Sequence, residues 1–264
     1  MKLLNFTILL LALFILSCQQ ESQIKTSEEE LTGITAEIKA KIINLGFNPK
    51  DSYKTEGGYI VEGDIFLTDQ DLVSLPNQRL PILEQYRTTN LVTVNGTRTI
   101  SVSLDSKLST ISAALDEAIA RYNAENLTLK FQRVSKNGYI KIVKSSPSAG
   151  YLASAGFPSN GNPYRSVSVN LGALSGQPLG TIASVLAHEL GHCIGFRHTD
   201  FYDRSISCGG SAVNEGSSSV GAIHIPGTPT DATLAAQSWM LSCIGSGQNR
   251  PFNNDDKTAL DYLY

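Results

Sequence analysis

The sequence predicts an α+β fold: a twisted mixed β-sheet, one long helix against it, and an irregular C-terminal part. Three observations lead there. Strand-like and helix-like stretches follow one another between about residues 98 and 171. An unbroken helical pattern runs over 181–195. Residues 199–247 are dense in Gly, Ser and Pro and carry no regular period. At 264 residues and 41% hydrophobic content, the chain can bury one sizeable core with some appended material. A net charge of -3 supplies no basic field for phosphates, so nucleic-acid partners are not expected.

Lys2 precedes an apolar run over 3–16 that is too short for a membrane span and suits the core of an export signal. The run ends in Ile15-Leu16-Ser17-Cys18, with polar Gln19-Gln20-Glu21 after it, and resembles a bacterial lipobox with Cys18 as the acylated residue. An ordinary signal peptide with a chance cysteine is the alternative. Lipidation predicts an exported protein held at a membrane in the bacterial cell envelope or at the cell surface, or secreted after processing; each buried methylene of the acyl chain adds about 0.8 kcal/mol of membrane affinity.

Residues 19–26 read as a polar tether. Leu31, Ile34, Ile38, Ile42 and Leu45 then recur at spacings of three and four, a helix stopped by Gly46. Residues 58–67 are extended in character, with Gly63 free to turn just before Asp64. Alternation over 99–104 predicts a half-buried strand, and Ile111, Leu115, Ile119 and Tyr122 a helix after it. Strands are expected over 127–134 and 139–143, joined by Asn137-Gly138 as a tight hairpin, and over 165–171. The long helix is expected to start at Thr181 as N-cap and to end at Gly195; a short helix over 255–264 closes the chain.

Cys193, Cys208 and Cys243 remain once Cys18 is set aside, an odd number for an exported chain. Cys208 and Cys243 both lie in Gly/Ser-rich stretches and are expected to pair. Cys193 lies within the helical pattern and is expected to be buried and free.

The chemistry concentrates in His188-Glu189-Leu190-Gly191-His192-Cys193-Ile194-Gly195-Phe196-Arg197-His198, which holds three of the chain's four histidines. On a helix, His188 and His192 project from one side a turn apart and can both face one Zn²⁺. Gly195 lets the helix end in a left-handed bend that returns His198 as a third ligand. Three imidazoles leave a coordination position open, the mark of a catalytic rather than a structural zinc site. Glu189 lies beside the metal without having to bind it, where a general base to a metal-activated water must be.

At these residues, continued by Gly195-Phe196-Arg197-His198-Thr199-Asp200, the sequence resembles the metzincin metallopeptidases, most closely the bacterial dual-action HEIGH metallopeptidases related to the astacins. The resemblance covers about 98–264. It implies a metzincin-like fold, a zinc-dependent endopeptidase activity on proteins or peptides, and a methionine turn beneath the metal, carried here by Met240 in Ser238-Trp239-Met240. It also implies a latent precursor. Val61-Glu62-Gly63-Asp64-Ile65 resembles the astacin pro-segment motif, in which an aspartate takes the open zinc position, and Asp64 is the matching residue, although Val61 stands where the motif has an aromatic. An acidic turn with no metal contact is the alternative. The expected organisation is a lipoprotein signal over 1–18, a tether and inhibitory pro-segment over 19–90, and a peptidase domain over 91–264. Processing is expected within 81–93, with Arg87 as an exposed candidate.

Two departures from the astacin pattern are Thr199, in place of a glutamate after the third histidine, and Ser242, in place of a tyrosine near the metal. Tyr202 is the remaining candidate to steady an oxyanion, and His224 reads as a loop residue. The competing functions are a surface lipoprotein that binds a partner through a vestigial metal site, and a zinc amidase or other non-peptide hydrolase.

Overall fold

The computed structural model describes residues 32–45, 47–73, 85–215, 221–229 and 232–264. The signal sequence, Cys18 and the tether lie outside the described residues. Helix α1 (Ala36–Asn44) is capped by Thr35, whose hydroxyl accepts from the Ile38 N–H at 3.2 Å. Strands β1 (Tyr53–Thr55), β2 (Gly58–Val61) and β3 (Ile65–Thr68) form an antiparallel meander. Ile34, Ile42, Phe47, Tyr59, Val61 and Ile65 close a small core of their own between α1 and these strands.

The run over 58–67 forms two strands on either side of the expected turn at Gly63. Glu62 (φ 53°) and Gly63 (φ 96°) turn it back on itself. The positive φ of Gly63 favours glycine there; a Cβ would also begin 2.8 Å from the end of the flexible Arg204 side chain, which could shift. This turn carries Asp64.

The main body comprises β4 (Tyr86–Arg87), β5 (Arg98–Leu104), α2 (Ser112–Ala124), β6 (Leu129–Arg133), β7 (Ile140–Lys144), β8 (Ala153–Ala155), β9 (Ser166–Val169), α3 (Leu179–Ile194), α4 (Ser205–Cys208), β10 (Ile223–His224) and α5 (Asn254–Leu263). One mixed sheet runs in the order β1-β2-β3-β8-β9-β7-β5-β6. β5, β6, β7 and β9 are parallel and β8 is antiparallel to β9. The outer edge of β8 is covered by β3, which lies parallel to it through Ile65 and Ala155.

The hairpin expected at Asn137-Gly138 does not form. β6 and β7 both run parallel to β5, on opposite sides of it, so residues 134–139 are a crossover. The glycine serves close approach instead: a Cβ on Gly138 would lie 2.3 Å from the Ser103 nitrogen, and the Gly138 and Tyr139 N–H groups donate to the hydroxyls of Ser103 and Ser101 at 3.0 and 2.9 Å.

Helix α3 is buried from Thr181 to Ile194, as a helix apolar on all sides must be. It packs against α2, where the Tyr122 hydroxyl donates to the Ala187 carbonyl at 2.7 Å, and against β8 and β9. Its cap is Pro178, whose carbonyl accepts from the Thr181 N–H; Thr181 lies in the first turn and caps nothing. Proline already has the fixed φ that a helix start needs.

Beyond α3 the chain is held by specific ties. Cys208 and Cys243 are disulfide-bonded across 35 residues of sequence, a closure worth about 3 to 4 kcal/mol by chain entropy, while Cys193 is buried and free. Asp256, in the capping box of α5, accepts from the Ser238 hydroxyl, the Gln85 amide and the Trp239 N–H, which fixes the turn that carries Met240. Burial lifts its carboxyl to about 6. Among the described residues, no helix is long and apolar enough to cross a membrane.

Candidate metal centre

His188 and His192 leave the same side of α3, with ring centroids 4.6 Å apart. Gly195, at φ 114°, ends the helix by donating to the Gly191 and His192 carbonyls at 3.0 Å; a Cβ there would press within 2.8 Å of Leu91. The bend brings His198 back, its ring 4.9 Å from His192 and 5.2 Å from His188. Asp64 comes in from the turn between β2 and β3. Its carboxylate lies 3.2 Å from Nε2 of His198 and 3.5 Å from Nε2 of His188. One ligand atom from each of these four residues lies within 4.8 Å of all the others.

The hydrogen bonds around the cluster settle which ring nitrogens are available. Nδ1 of His188 faces the Trp239 carbonyl at 2.8 Å, Nδ1 of His192 faces the Phe196 carbonyl at 2.8 Å, and Nδ1 of His198 faces both Glu215 oxygens at 3.0 Å. All three partners only accept, so each Nδ1 carries the proton and donates it. The Nε2 lone pairs then point inward. Nε2 of His192 and of His198 stand 3.2 Å apart, and Nε2 of His188 and one Asp64 oxygen are buried with no hydrogen-bond partner. Lone pairs and a carboxylate crowded together in a dry site repel one another unless a cation sits among them, and imidazole with carboxylate is a donor set suited to Zn²⁺.

The local field agrees. Burial holds His192 well below the usual histidine value. Burial opposes protonation of His198 too, but Glu215 and Asp64 outweigh it and push that group well above its usual value. The two carboxylates thus demand positive charge at His198, which a divalent ion supplies. Burial raises Asp64, yet His198 and His188 overcome it and hold the carboxyl well below the ordinary carboxylate range.

Glu189 follows His188 on the helix and is 2% exposed. One of its carboxylate oxygens is buried without a partner, and burial first, Asp64 second, lifts its carboxyl well above the ordinary value. It shares with His188, Val185, Leu241, Ile244 and Arg250 the wall of a cavity of about 230 Å³ that opens beside the cluster. Met240 lies beneath the helix, its sulfur so near Gly191 that a Cβ there would stand 2.7 Å away.

Other residues singled out by sequence fall elsewhere. The Tyr202 hydroxyl is engaged with the backbone of Ala232, from which it accepts at 2.8 Å. His224 faces the Thr228 hydroxyl at 3.1 Å in β10. Arg87 is half-buried in β4, paired with Ile223 and bridged to Phe196, and is not an exposed loop residue. Thr199 bonds the Ser238 hydroxyl at 2.8 Å, and Ser242 donates to Asp200.

Glu215 and Arg197 were not reached from sequence. Glu215 is fully buried and also pairs with Arg204 at 3.0 Å. The one available signal was that Glu215 is the only acidic or basic side chain, histidine aside, in residues 205–230. Arg197 is fully buried as well, held by Glu62 at 3.1 Å and stacked over Phe47.

An imidazole triad on a helix and its glycine bend, joined by the Asp64 carboxylate from the β2–β3 turn, is the metal site of a zinc metallopeptidase. The chain belongs to the family described as dual-action HEIGH metallo-peptidases, whose model matches residues 59–264 and so takes in the Asp64 turn. No curated protein matches the chain. Among solved structures it is similar to high choriolytic enzyme 1, a hatching enzyme zinc-protease from Oryzias latipes (medaka fish), at 15% identity over 66% of this chain and 92% of that one, with a TM-score of 0.40. It is also similar to two structures of myroilysin, each at 14% identity, over 66% and 67% of this chain and 82% and 86% of those, with TM-scores of 0.42 and 0.41.

Proposed function

We propose that the protein is a zinc endopeptidase made as a latent precursor, with His188, His192 and His198 as zinc ligands, Glu189 as general base and Asp64 as the blocking group. The observation that carries this reading is the inward convergence of three Nε2 lone pairs beside a base that is not itself a ligand. When bound, zinc polarises a carbonyl and brings the pKa of a water toward neutrality. The chain's own residues do the rest. The Glu189 carboxylate, its proton affinity raised by burial, takes the water proton and returns it to the leaving amine. The cavity lined by Val185, Leu241 and Ile244 receives a substrate side chain next to the scissile bond. An extended peptide adds along the edge of β8, the edge that β3 now covers.

In the precursor, Asp64 stands among the imidazoles where substrate must come, and β3 occupies the strand edge. The separate small core of the N-terminal segment suits a unit that detaches after cleavage. Gln85, Tyr86 and Thr88 are buried against the main body, so the retained chain begins near Gln85. Upstream, the leader and Cys18 fit a lipid-anchored protein of the bacterial envelope.

The test is turnover. Processed protein should hydrolyse casein or an internally quenched peptide, lose that activity with a zinc chelator and regain it on adding zinc. Stoichiometric zinc with no turnover on either substrate would favour the binding-module alternative.

A further inference from the structure

We propose that Glu215 is a positioning residue for the metal centre: its carboxylate holds the third zinc ligand, His198, in tautomer and orientation from the outer side. The proposal rests on the assignment of His198 as a ligand. Two features of the site support it. Both Glu215 oxygens lie 3.0 Å from Nδ1 of His198, whereas the Nδ1 groups of His188 and His192 meet neutral backbone carbonyls. His198 is also the one ligand of the three outside α3, beyond the Gly195 bend, so no helix fixes its ring. An outer carboxylate raises the donor strength of the imidazole it holds and restricts its rotation.

Glu215 is itself held in place. Ser242 donates to it at 3.3 Å and Arg204 pairs with it at 3.0 Å, and the residue is fully buried. Ser242 stands two residues after Met240, so the carboxylate ties the third ligand to the turn beneath the metal. Arg204 is in turn anchored near the disulfide by α4, which ends at Cys208. The plainer role for Glu215 is neutralising the partly buried guanidinium of Arg204, with that of fully buried Arg197 a further contact at 3.9 Å, and the experiment must separate ion pairing from the hold on His198.

Zinc affinity is measured on the full chain by competition with a chromogenic chelator, and visible spectra are taken after cobalt substitution. Glu215→Gln keeps shape and an acceptor but removes charge; it is expected to weaken zinc about 10- to 100-fold and to shift the cobalt bands. Arg204→Met breaks the same ion pair from the other side and is expected to leave affinity within about threefold of wild type, since the carboxylate on His198 remains. Equal losses in both variants, or wild-type affinity in Glu215→Gln, would overturn the proposal. His198→Ala is the control: if it also binds zinc like wild type, the ligand assignment has failed and not the role of Glu215. A measurement that needs no variant is the imidazole N–H spectrum of the zinc-loaded wild type. The His198 Nδ1 proton should resonate downfield of those of His188 and His192 because its acceptor is charged; a proton grouped with the other two would contradict the proposal.

Discussion

Glu189→Ala is expected to lower kcat/KM on casein by about 10²- to 10⁴-fold, the usual contribution of a general base, with zinc content unchanged. Glu189 follows His188 on α3 but is not itself one of the four groups that converge on the candidate metal position. Its loss should therefore spare the ion and remove the proton acceptor. The same substitution separates a catalytic from a structural role. Glu189 is 2% exposed, has a carboxylate oxygen without a partner, and is raised well above the ordinary carboxylate value by burial. Keeping a carboxylate there costs stability. The variant should melt at the wild-type temperature or above it while being inactive, the pattern of a residue retained for chemistry. Turnover within tenfold of wild type would remove Glu189 from the mechanism.

Asp64→Ala is expected to speed self-processing of the precursor on the order of tenfold or more, because a carboxylate tethered beside the metal competes at a high effective concentration. Burial raises Asp64, but His198 and His188 outweigh it and hold the carboxyl well below its ordinary range, which favours the charged form that can stand at a metal. The segment need not fall off when Asp64 is replaced. Glu62 still pairs with buried Arg197 at 3.1 Å, and β3 still covers β8. Asp64→Asn, of nearly the same shape, should behave like alanine if charge is the latch. The readout is the half-life of intact precursor by gel and mass spectrometry, with Glu189→Ala present as a non-processing control. An unchanged half-life in both variants would leave Asp64 as a turn residue only.

Much of the site was legible because its geometry is local. The helix periodicity puts His188 and His192 on one face, and Gly195 adopts φ 114° where a bend was needed to return His198. Asp64 was reached only through resemblance, since nothing within 58–67 indicates that a turn there meets a helix more than a hundred residues on. Sequence and structure differ where one local signal has two uses. Asn137-Gly138 reads as a hairpin, but Gly138 permits close approach to Ser103 within a crossover between strands on either side of β5. Thr181 reads as a cap, but Pro178 starts the helix earlier. Glu215 and Arg197 were missed because their partners are distant in sequence, or carry no period: one sits in a Gly/Ser-rich loop, and the other pairs with Glu62 across 135 residues.

Three helix-and-bend imidazoles are expected to hold one zinc ion through Nε2. X-ray absorption at the zinc edge on carefully prepared protein, alongside elemental analysis, tests it most directly. About one zinc per chain is expected, with three nitrogen donors and an oxygen donor in the precursor. Protein without stoichiometric metal, or a shell containing sulfur or fewer than three imidazoles, would contradict it.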